Sequence, residues 1–355
     1  MNCSSSRHVA RRSILVLAVT VFLLAGTCLA QGTFVSFDGP HAGIASGHGT
    51  FPAAMNRLGG IALTTTDDSG TTRAYVRHHR NGTYLQIQPP NALDTYVSGL
   101  NSHGQVAGSF INTSRQTVGY VRNVDGTYVI LNPPGSNGLN NVVGINEAGQ
   151  VAGTASIPGG TGTPFFWDPA HPDTYVTFSV PGGTYVYASA INNSGQIAGV
   201  YTDSKTNLRL HGFLRNSDGS ISTFTLAPYL AFTDFGVSAM NNWGTILGGF
   251  FDENSSCQAL FLRYSGGGQR YAFGQSHGGV QPTAISDNGI VVGTDFPGDT
   301  PYGNAFSLDR SLSKTLIPVP FTAQGTTANA VNKAGQIVGT YIDANGASHG
   351  WIYLP

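Results

Sequence analysis

The sequence predicts an all-β protein, a seven-bladed β-propeller of four-stranded blades whose ring is closed by the N-terminal strand completing the last blade. Three observations predict this fold. A short phrase recurs seven times at intervals of 45–49 residues. Each repeat carries the apolar and turn patterns of four short strands. The last repeat lacks its final strand, and a matching segment stands at the other end of the chain.

The recurring phrase is Asn-x-x-Gly followed by a short apolar strand that ends in Gly, and its clearest early copy is Leu100–Gly108. A weaker first copy is Met55–Leu63. The later copies are Ile145–Gly153, Ile191–Gly199, Met240–Gly248, Ile285–Gly293 and Val331–Gly339. Periods of about 40–50 residues with several short strands are typical of propellers. Helical repeats need apolar residues with a 3.6-residue period, and the sequence shows none.

Each repeat predicts four strands, a to d, in chain order. Strand a runs into the phrase, as in Tyr185–Ile191, and Asn-x-x-Gly forms the tight turn after it, because Asn favours the first turn position and Gly supplies a positive φ. Strand b follows, as in Gln196–Tyr201. Strand c carries an aromatic residue, and strand d follows a hairpin turn such as Asp125-Gly126.

The last repeat is incomplete, because the sequence ends at Trp351–Pro355 without a strand d. Gly32–Pro40 near the N-terminus resembles the strand d segment Gly82–Pro89. We therefore expect the N-terminal strand to complete the last blade and to remove the exposed edges of an open array. An open solenoid is the alternative, but its terminal repeats would need polar caps, which the sequence lacks.

The N-terminus predicts export. Residues 1–30 are interpreted as a signal peptide and residues 31–355 as a single propeller domain. Arg11 and Arg12 precede the apolar run Ile14–Ala25, and small residues stand at the cleavage position. The run is shorter than the roughly 20 residues that a membrane span needs. We expect a protein that is secreted or periplasmic, with no membrane insertion after cleavage.

Composition limits the partners. Only 10% of the residues are charged and the formal net charge is −1, so the basic surface that nucleic acids require is absent. Once the signal is removed, Cys257 stands alone and no internal disulfide is possible. Ser, Thr, Asn, Gly and Tyr dominate the polar residues, a composition that suits a protein or glycan partner. We expect a monomer without cofactors.

The repeat resembles that of the HAF family of bacterial extracellular proteins, named after a His-Ala-Phe-like triplet. The triplet reads His211-Gly212-Phe213 and His349-Gly350-Trp351, with looser copies such as Asn304-Ala305-Phe306, and it follows the Asn-x-x-Gly phrase. The third repeat departs from it with Thr163-Pro164-Phe165. The resemblance covers the mature chain and implies an exported, propeller-like array. It implies no established activity.

Candidate ligand-binding residues are expected at one end of the blades, where the long and dissimilar b–c and d–a loops would lie. Aromatic residues outside the repeat pattern are expected in the d–a loops, together with nearby polar groups, and tyrosine suits recognition because it combines an apolar ring with a polar tip. The predicted ligand-binding residues are Tyr96, Tyr185, Tyr187, Tyr229, Asp234 and His277.

The sequence is compatible with three functions. The favoured one is a non-catalytic binding or interaction protein, with no catalytic residue assigned and no metal site. A secreted polysaccharide hydrolase or lyase using acids such as Asp234 or Glu253 is the second, and a structural surface protein is the third. The repeated acids at the ends of strands b, such as Asp67 and Asp343, are interpreted as turn residues. His211 and His349 are given structural roles.

Overall fold

The computed structural model describes residues 32–156, 162–203, 210–226, 232–253, 257–273, 278–298, 302–322 and 324–355. These residues form β-strands, turns and irregular segments, and none of them lies in a helix. The all-β prediction is therefore confirmed for the described chain. The predicted signal peptide, Tyr229 and His277 lie outside the described residues.

The strands follow one another as antiparallel four-stranded units. After β1 (Thr33–Phe37) come β2 (Gly49–Met55), β3 (Ile61–Thr66), β4 (Thr72–Arg77) and β5 (Tyr84–Ile87). The next eight are β6 (Ala92–Leu100), β7 (Val106–Asn112), β8 (Thr117–Arg122), β9 (Tyr128–Ile130), β10 (Asn140–Ile145), β11 (Val151–Ser156), β12 (Gly162–Trp167) and β13 (Tyr175–Thr177). They are followed by β14 (Gly183–Ile191), β15 (Ile197–Asp203), β16 (Leu210–Arg215), β17 (Ile221–Phe224), β18 (Phe232–Met240), β19 (Ile246–Asp252), β20 (Cys257–Arg263) and β21 (Gln269–Phe273). The last are β22 (Gly279–Ile285), β23 (Val291–Phe296), β24 (Asn304–Leu308), β25 (Lys314–Leu316), β26 (Gly325–Val331), β27 (Ile337–Ile342) and β28 (Ser348–Leu354).

The sheets contain four or eight strands. The strands β6–β9, β10–β13 and β14–β17 each form a four-stranded sheet. Each eight-stranded sheet consists of two four-stranded units joined at a single parallel bridge, Gln258 with Gly279 in one and Gly49 with Ser348 in the other. The four-strand repeat predicted from the sequence is thus the building unit of the described fold.

The N-terminal strand pairs with the C-terminal one. β1 runs antiparallel to β28, from Thr33 opposite Leu354 to Phe37 opposite Gly350. The side chain of Phe37 is buried in a cluster with Ile352 and Val338. The predicted completion of the last four-stranded unit by Gly32–Pro40 is confirmed in this register.

The repeated phrase forms the a–b turn of each unit, as predicted. In one copy, the Asn146 Oδ1 accepts hydrogen bonds from the backbone N–H groups of Ala148 (3.0 Å) and Gln150 (2.9 Å). Gly149 lies in the turn with a φ of 78°, a conformation that glycine adopts without strain. The turn joins strands a and b tightly because these bonds satisfy its backbone donors.

The glycine that ends the phrase is coupled to the aromatic residue of strand c. Gly199 lies opposite Phe213, and a Cβ on Gly199 would collide with the backbone oxygen of Tyr187 and approach the Phe213 ring to 2.7 Å. Five other copies have the same pairing: Gly108 with Tyr120, Gly153 with Phe165, Gly248 with Phe261, Gly293 with Phe306 and Gly339 with Trp351. The two halves of the repeated motif therefore form one packing unit.

Candidate functional site

A cavity of about 280 Å³ lies between the β18–β21 unit and the β22–β25 unit. It is formed where strands a and c begin and strand b ends, so it lies at the end from which the b–c and d–a connections leave. The sequence predicted recognition at this end. Asp234, which the sequence singled out, is one of its lining residues.

A bulge in β18 presents Asp234 to the cavity. Thr233 pairs with Phe251 and Gly236 pairs with Gly249, so two residues of β18 face only one residue of β19. Asp234 adopts a φ of 50°, which short polar residues tolerate better than most. The neighbouring Phe235 is buried and stacks on Phe261 with ring centroids 5.1 Å apart. The bulge thus anchors Phe235 in the core and leaves Asp234 exposed.

The open space of the cavity depends on Gly236. This residue stands five positions before the Asn of its phrase, where the other copies have Phe51, Tyr96, Asn141, Tyr187, Gln281 and Thr327. A Cβ on Gly236 would meet no heavy atom within 4 Å. The cavity therefore lies where this copy alone has no side chain, a signal that a comparison of added side chains does not reveal.

The lining of the cavity combines apolar walls with hydrogen-bonding groups. Pro282 contributes apolar surface, and the side chain of Phe250 is buried in the core. The polar groups are the carboxylate of Asp234, the amides of Gln258 and Gln281, and the hydroxyls of Ser238 and Thr283. Among these described residues there is one carboxylate. The arrangement can accept and donate hydrogen bonds without carrying a large charge.

The predicted tyrosines lie elsewhere, and in strands rather than in d–a loops. Tyr96 lies in β6 and is 43% exposed, while Tyr185 and Tyr187 lie in β14 and are 40% and 42% exposed. No hydrogen bond or ring contact joins Tyr96, Tyr185, Tyr187 and Asp234 to one another in the described part of the chain. The loop assignment was wrong, because β6 already begins at Ala92 and β14 at Gly183.

The acids at the ends of strands b have structural roles in this arrangement. Asp67 Oδ1 accepts hydrogen bonds from the N–H groups of Ser69 and Thr71, and its Oδ2 pairs with Arg73 Nη1 at 2.5 Å. The hydroxyl of Ser69 and the guanidinium of Arg73 hold the pKa of Asp67 well below its usual range. These contacts agree with the interpretation of such acids as turn residues.

The histidines of the triplet pair with the same acids. His211 Nε2 lies 3.6 Å from Asp203 Oδ2, and His349 Nε2 lies 3.6 Å from Asp343 Oδ2. His349 Nδ1 also lies 2.8 Å from Asp38 Oδ1, so its ring connects the segment after β1 with the β27–β28 turn. The contacts of these histidines fit the structural role that the sequence assigned to them.

The described residues show no cluster of metal-binding side chains and no membrane-spanning helix. Within the ranges that the structure describes, no group of three or more His, Cys, Asp or Glu side chains is placed to hold a metal ion. The described residues also contain no helix of the length and hydropathy needed to cross a membrane. Glu253, an acid that the sequence offered for a hydrolase or lyase, is exposed, whereas the adjacent Asp252 is buried.

The chain is similar to solved structures with very different sequences. The virginiamycin B lyase of Staphylococcus aureus matches with a TM-score of 0.55 and 10% identity, over 92% of this chain and 100% of that one. A streptogramin B lyase matches with a TM-score of 0.54 and 12% identity, over 91% and 98%. A puromycin hydrolase matches with a TM-score of 0.54 and 14% identity, over 88% of this chain and 53% of its own.

These similarities define the class of fold. The solved structures are propeller-like, and at such low identity they establish an all-β, propeller-like fold for this chain and nothing about its activity. No protein-family model matches the sequence, and no curated protein matches it significantly.

Proposed function

We propose that the protein is an exported, non-catalytic binding protein of the HAF type that recognises a glycan at the loop-rich end of a propeller. The observation that carries the proposal is the cavity beside Gly236, which is lined by Asp234, Gln258 and Gln281. Export rests on the N-terminal pattern of Arg11, Arg12 and the apolar run that follows.

The propeller of this proposal has seven blades and is closed into a ring. The repeated phrase supports the count, because each of its seven copies forms the a–b turn of one four-stranded unit. Contacts between the first and last units support closure. Asn329 Nδ2 donates to Pro52 O at 2.7 Å, and the Ser348 N–H donates to His48 O at 2.8 Å.

A hydroxyl-rich, uncharged ligand suits the cavity best. The amides of Gln258 and Gln281 and the hydroxyl of Ser238 can both donate and accept, and one carboxylate can accept from two neighbouring hydroxyl groups. Pro282 supplies apolar surface against the carbon skeleton of a sugar. The low charge of the whole chain fits a neutral partner better than an ionic one.

A polysaccharide hydrolase or lyase is the second candidate, because Asp234 brings an exposed carboxylate into a cavity. Most glycoside hydrolases use two carboxylates about 5 to 10 Å apart. The described lining provides only Asp234, so the geometry favours binding over hydrolysis.

A glycan screen with matched variants tests the proposal. Protein produced from the full-length chain is screened by thermal shift against soluble neutral polysaccharides, since a ligand at a hundred times its Kd stabilises by about 2.7 kcal/mol. Gly236→Leu fills the cavity from a position with free space around its Cβ, and Asp234→Asn keeps the shape but removes the charge. Both should weaken binding at least tenfold while the melting temperature of the free protein stays close to wild type.

The controls separate the alternatives. Gly268→Ala changes a glycine with equally free surroundings in the β20–β21 turn and should leave binding unchanged. Binding that survives Gly236→Leu but is lost with Tyr96→Ala or Tyr187→Ala would move the site to those strands. Release of reducing or unsaturated ends from a bound polysaccharide would establish the enzyme instead. No binding to any glycan would refute the proposal.

A further inference from the structure

A second cavity of about 290 Å³ lies between the same two units at their opposite end. It is formed by a–b and c–d turns, the short connections to which the sequence analysis gave no recognition role. Its lining includes Leu262 and Ile285 at its base and four residues with aromatic or charged side chains, Trp243, Tyr264, Asp287 and Arg310.

Trp243 is out of place in the repeat. It stands two positions after the Asn of its phrase, where the other copies have Leu58, His103, Ala148, Ser194, Asn288 and Ala334. The side chain is 71% exposed, yet its Nε1–H donates to the backbone oxygen of Asp287 at 2.9 Å. The indole is therefore held in one orientation with much of its surface in solvent.

Arg310 provides an available positive charge in this cavity. Its Nε donates to Asn288 O at 2.6 Å, which fixes the guanidinium, and it forms no ion pair with any described carboxylate. Asp287 is occupied by its neighbour, because its two oxygens accept from the N–H and the Nδ2 of Asn242, both at 2.9 Å. The Nη groups of Arg310 thus remain for an external anion.

We propose that this cavity binds a uronic acid residue, that is, a sugar that carries a carboxylate. A pyranose ring has an apolar face that can pack on the exposed indole of Trp243, and its carboxylate can accept charge-assisted hydrogen bonds from Arg310. A neutral sugar would gain only the packing on Trp243. A small carboxylate without a sugar ring would gain only the hydrogen bonds and the charge interaction with Arg310. The combination selects an acidic sugar, and the site is independent of the cavity beside Gly236.

Intrinsic fluorescence gives a direct readout, because the protein has three tryptophans and the other two, Trp167 and Trp351, are buried. The probes are trigalacturonic acid and, as its neutral counterpart, galactotriose. We expect saturable quenching by the acidic probe only. Trp243→Phe should remove the fluorescence change, and calorimetry should show Trp243→Ala lowering the affinity at least tenfold.

Charge variants complete the test. Arg310→Gln should weaken trigalacturonic acid about tenfold and remove most of the dependence of the affinity on salt. Arg80→Gln removes an exposed arginine near the c–d turn of the β2–β5 unit and should change nothing. Gly236→Leu should also leave this binding intact, which separates failure of this site from failure of the proposed function.

Several results would overturn the proposal. Equal affinity for the acidic and neutral probes would refute recognition of the carboxylate, as would equal losses in Arg310→Gln and Arg80→Gln. Absence of any quenching, with calorimetry showing no heat of binding, would refute the site itself.

Discussion

Asn332 Nδ2 donates a hydrogen bond to the backbone oxygen of Asn56 at 3.4 Å, and so joins the last copy of the repeated phrase to the first. The same bond recurs from copy to copy. Asn56 donates to Asn101, Asn101 to Asn146 and Asn146 to Asn192, each at 3.1 Å. Asn192 donates to Asn241 at 3.4 Å and Asn241 to Ser286 at 3.2 Å. One side chain therefore performs two tasks: its oxygen closes a turn and its nitrogen holds the next unit.

The series is interrupted at Ser286, which has no amide. There, Asn288 Nδ2 donates to Lys333 O at 2.5 Å and replaces the missing connection between neighbouring turns. Ser286 keeps part of the turn function, because its Oγ accepts from the Ile290 N–H at 3.1 Å. Ser286 therefore keeps the acceptor role of the Asn side chain within the turn but not its donor role between units.

We expect Asn146→Ser to destabilise the protein by about 1–3 kcal/mol, because it removes a buried donor and leaves the Asn192 oxygen without its partner. The reverse change, Ser286→Asn, should stabilise by about 0.5–1.5 kcal/mol by adding a bond to the Asn332 oxygen beside the existing one from Asn288 to Lys333. Chemical denaturation with each variant measures both effects. A neutral result for both would mean that the inter-unit bond contributes nothing to stability.

The glycine that ends the repeated phrase gives a second prediction. Gly199→Ala should cost about 1–3 kcal/mol, because the new methyl group would collide with the Tyr187 backbone and press on Phe213. Gly268→Ala is the matched control, since a Cβ there meets nothing within 4 Å. Thermal denaturation of the two variants compares them directly. Equal stability would show that the strands can separate enough to admit the methyl group.

Much of this fold could be predicted from the sequence, because each repeat contains residues that favour tight turns at fixed positions. Asn-x-x-Gly and Asp-Gly have few conformational options, so the strand order and the pairing of β1 with β28 followed from their positions. The contact from Asn146 to Asn192 could not be read in the same way, since it joins residues 46 positions apart and depends on how neighbouring units pack.

The candidate site was only partly predictable. Asp234 was chosen because it stands close to aromatic residues outside the repeat pattern, and it does line a cavity. The cavity exists because Gly236 lacks a side chain, and Gln258 and Gln281 reach it only through the packing of two units. Comparing the copies position by position for missing side chains, as well as for added ones, would have identified Gly236.

The joint between the chain ends gives a third prediction. Phe37 packs against Gly350, whose Cβ would overlap the phenyl ring, and Arg77 lies over the other side with its Cζ 5.1 Å from the ring centroid. Phe37→Ala should therefore cost about 3–5 kcal/mol. Thr33→Ala changes an exposed residue of the same strand and should cost little.

Hydrogen exchange locates the effect of Phe37→Ala. If β1 holds the last unit together, the backbone N–H groups of β28 that face β1 should exchange faster in this variant, while those of β8 stay as slow as in the wild type. Uniform acceleration in both strands would instead indicate a general loss of stability without local opening of the joint.

Acid sensitivity is the fourth prediction and follows from the carboxylates in the turns. The pKa of Asp67 is lowered in the folded protein by a hydrogen bond from the Ser69 hydroxyl, by the ion pair with Arg73 and by a hydrogen bond from the Thr71 N–H. Burial raises the pKa, but by less than these contacts lower it. A lowered folded pKa means that the stabilisation is complete above the unfolded value of 3.8 and is lost as the pH falls through the folded value. The melting temperature should therefore decline below about pH 5.

Asp67→Asn tests this origin, because the amide oxygen can still accept from the turn N–H groups but no longer titrates or pairs with Arg73. The variant should be less stable at pH 7 and should lose less stability than the wild type between pH 5 and pH 2. The decline should persist in part, since hydrogen bonds within their own turns also lower the pKa values of Asp125, Asp218 and Asp309. Asp173→Asn, at an exposed turn, is the control. If its pH profile changes as much as that of Asp67→Asn, the acid response comes from the total charge of the protein and not from the turn carboxylates.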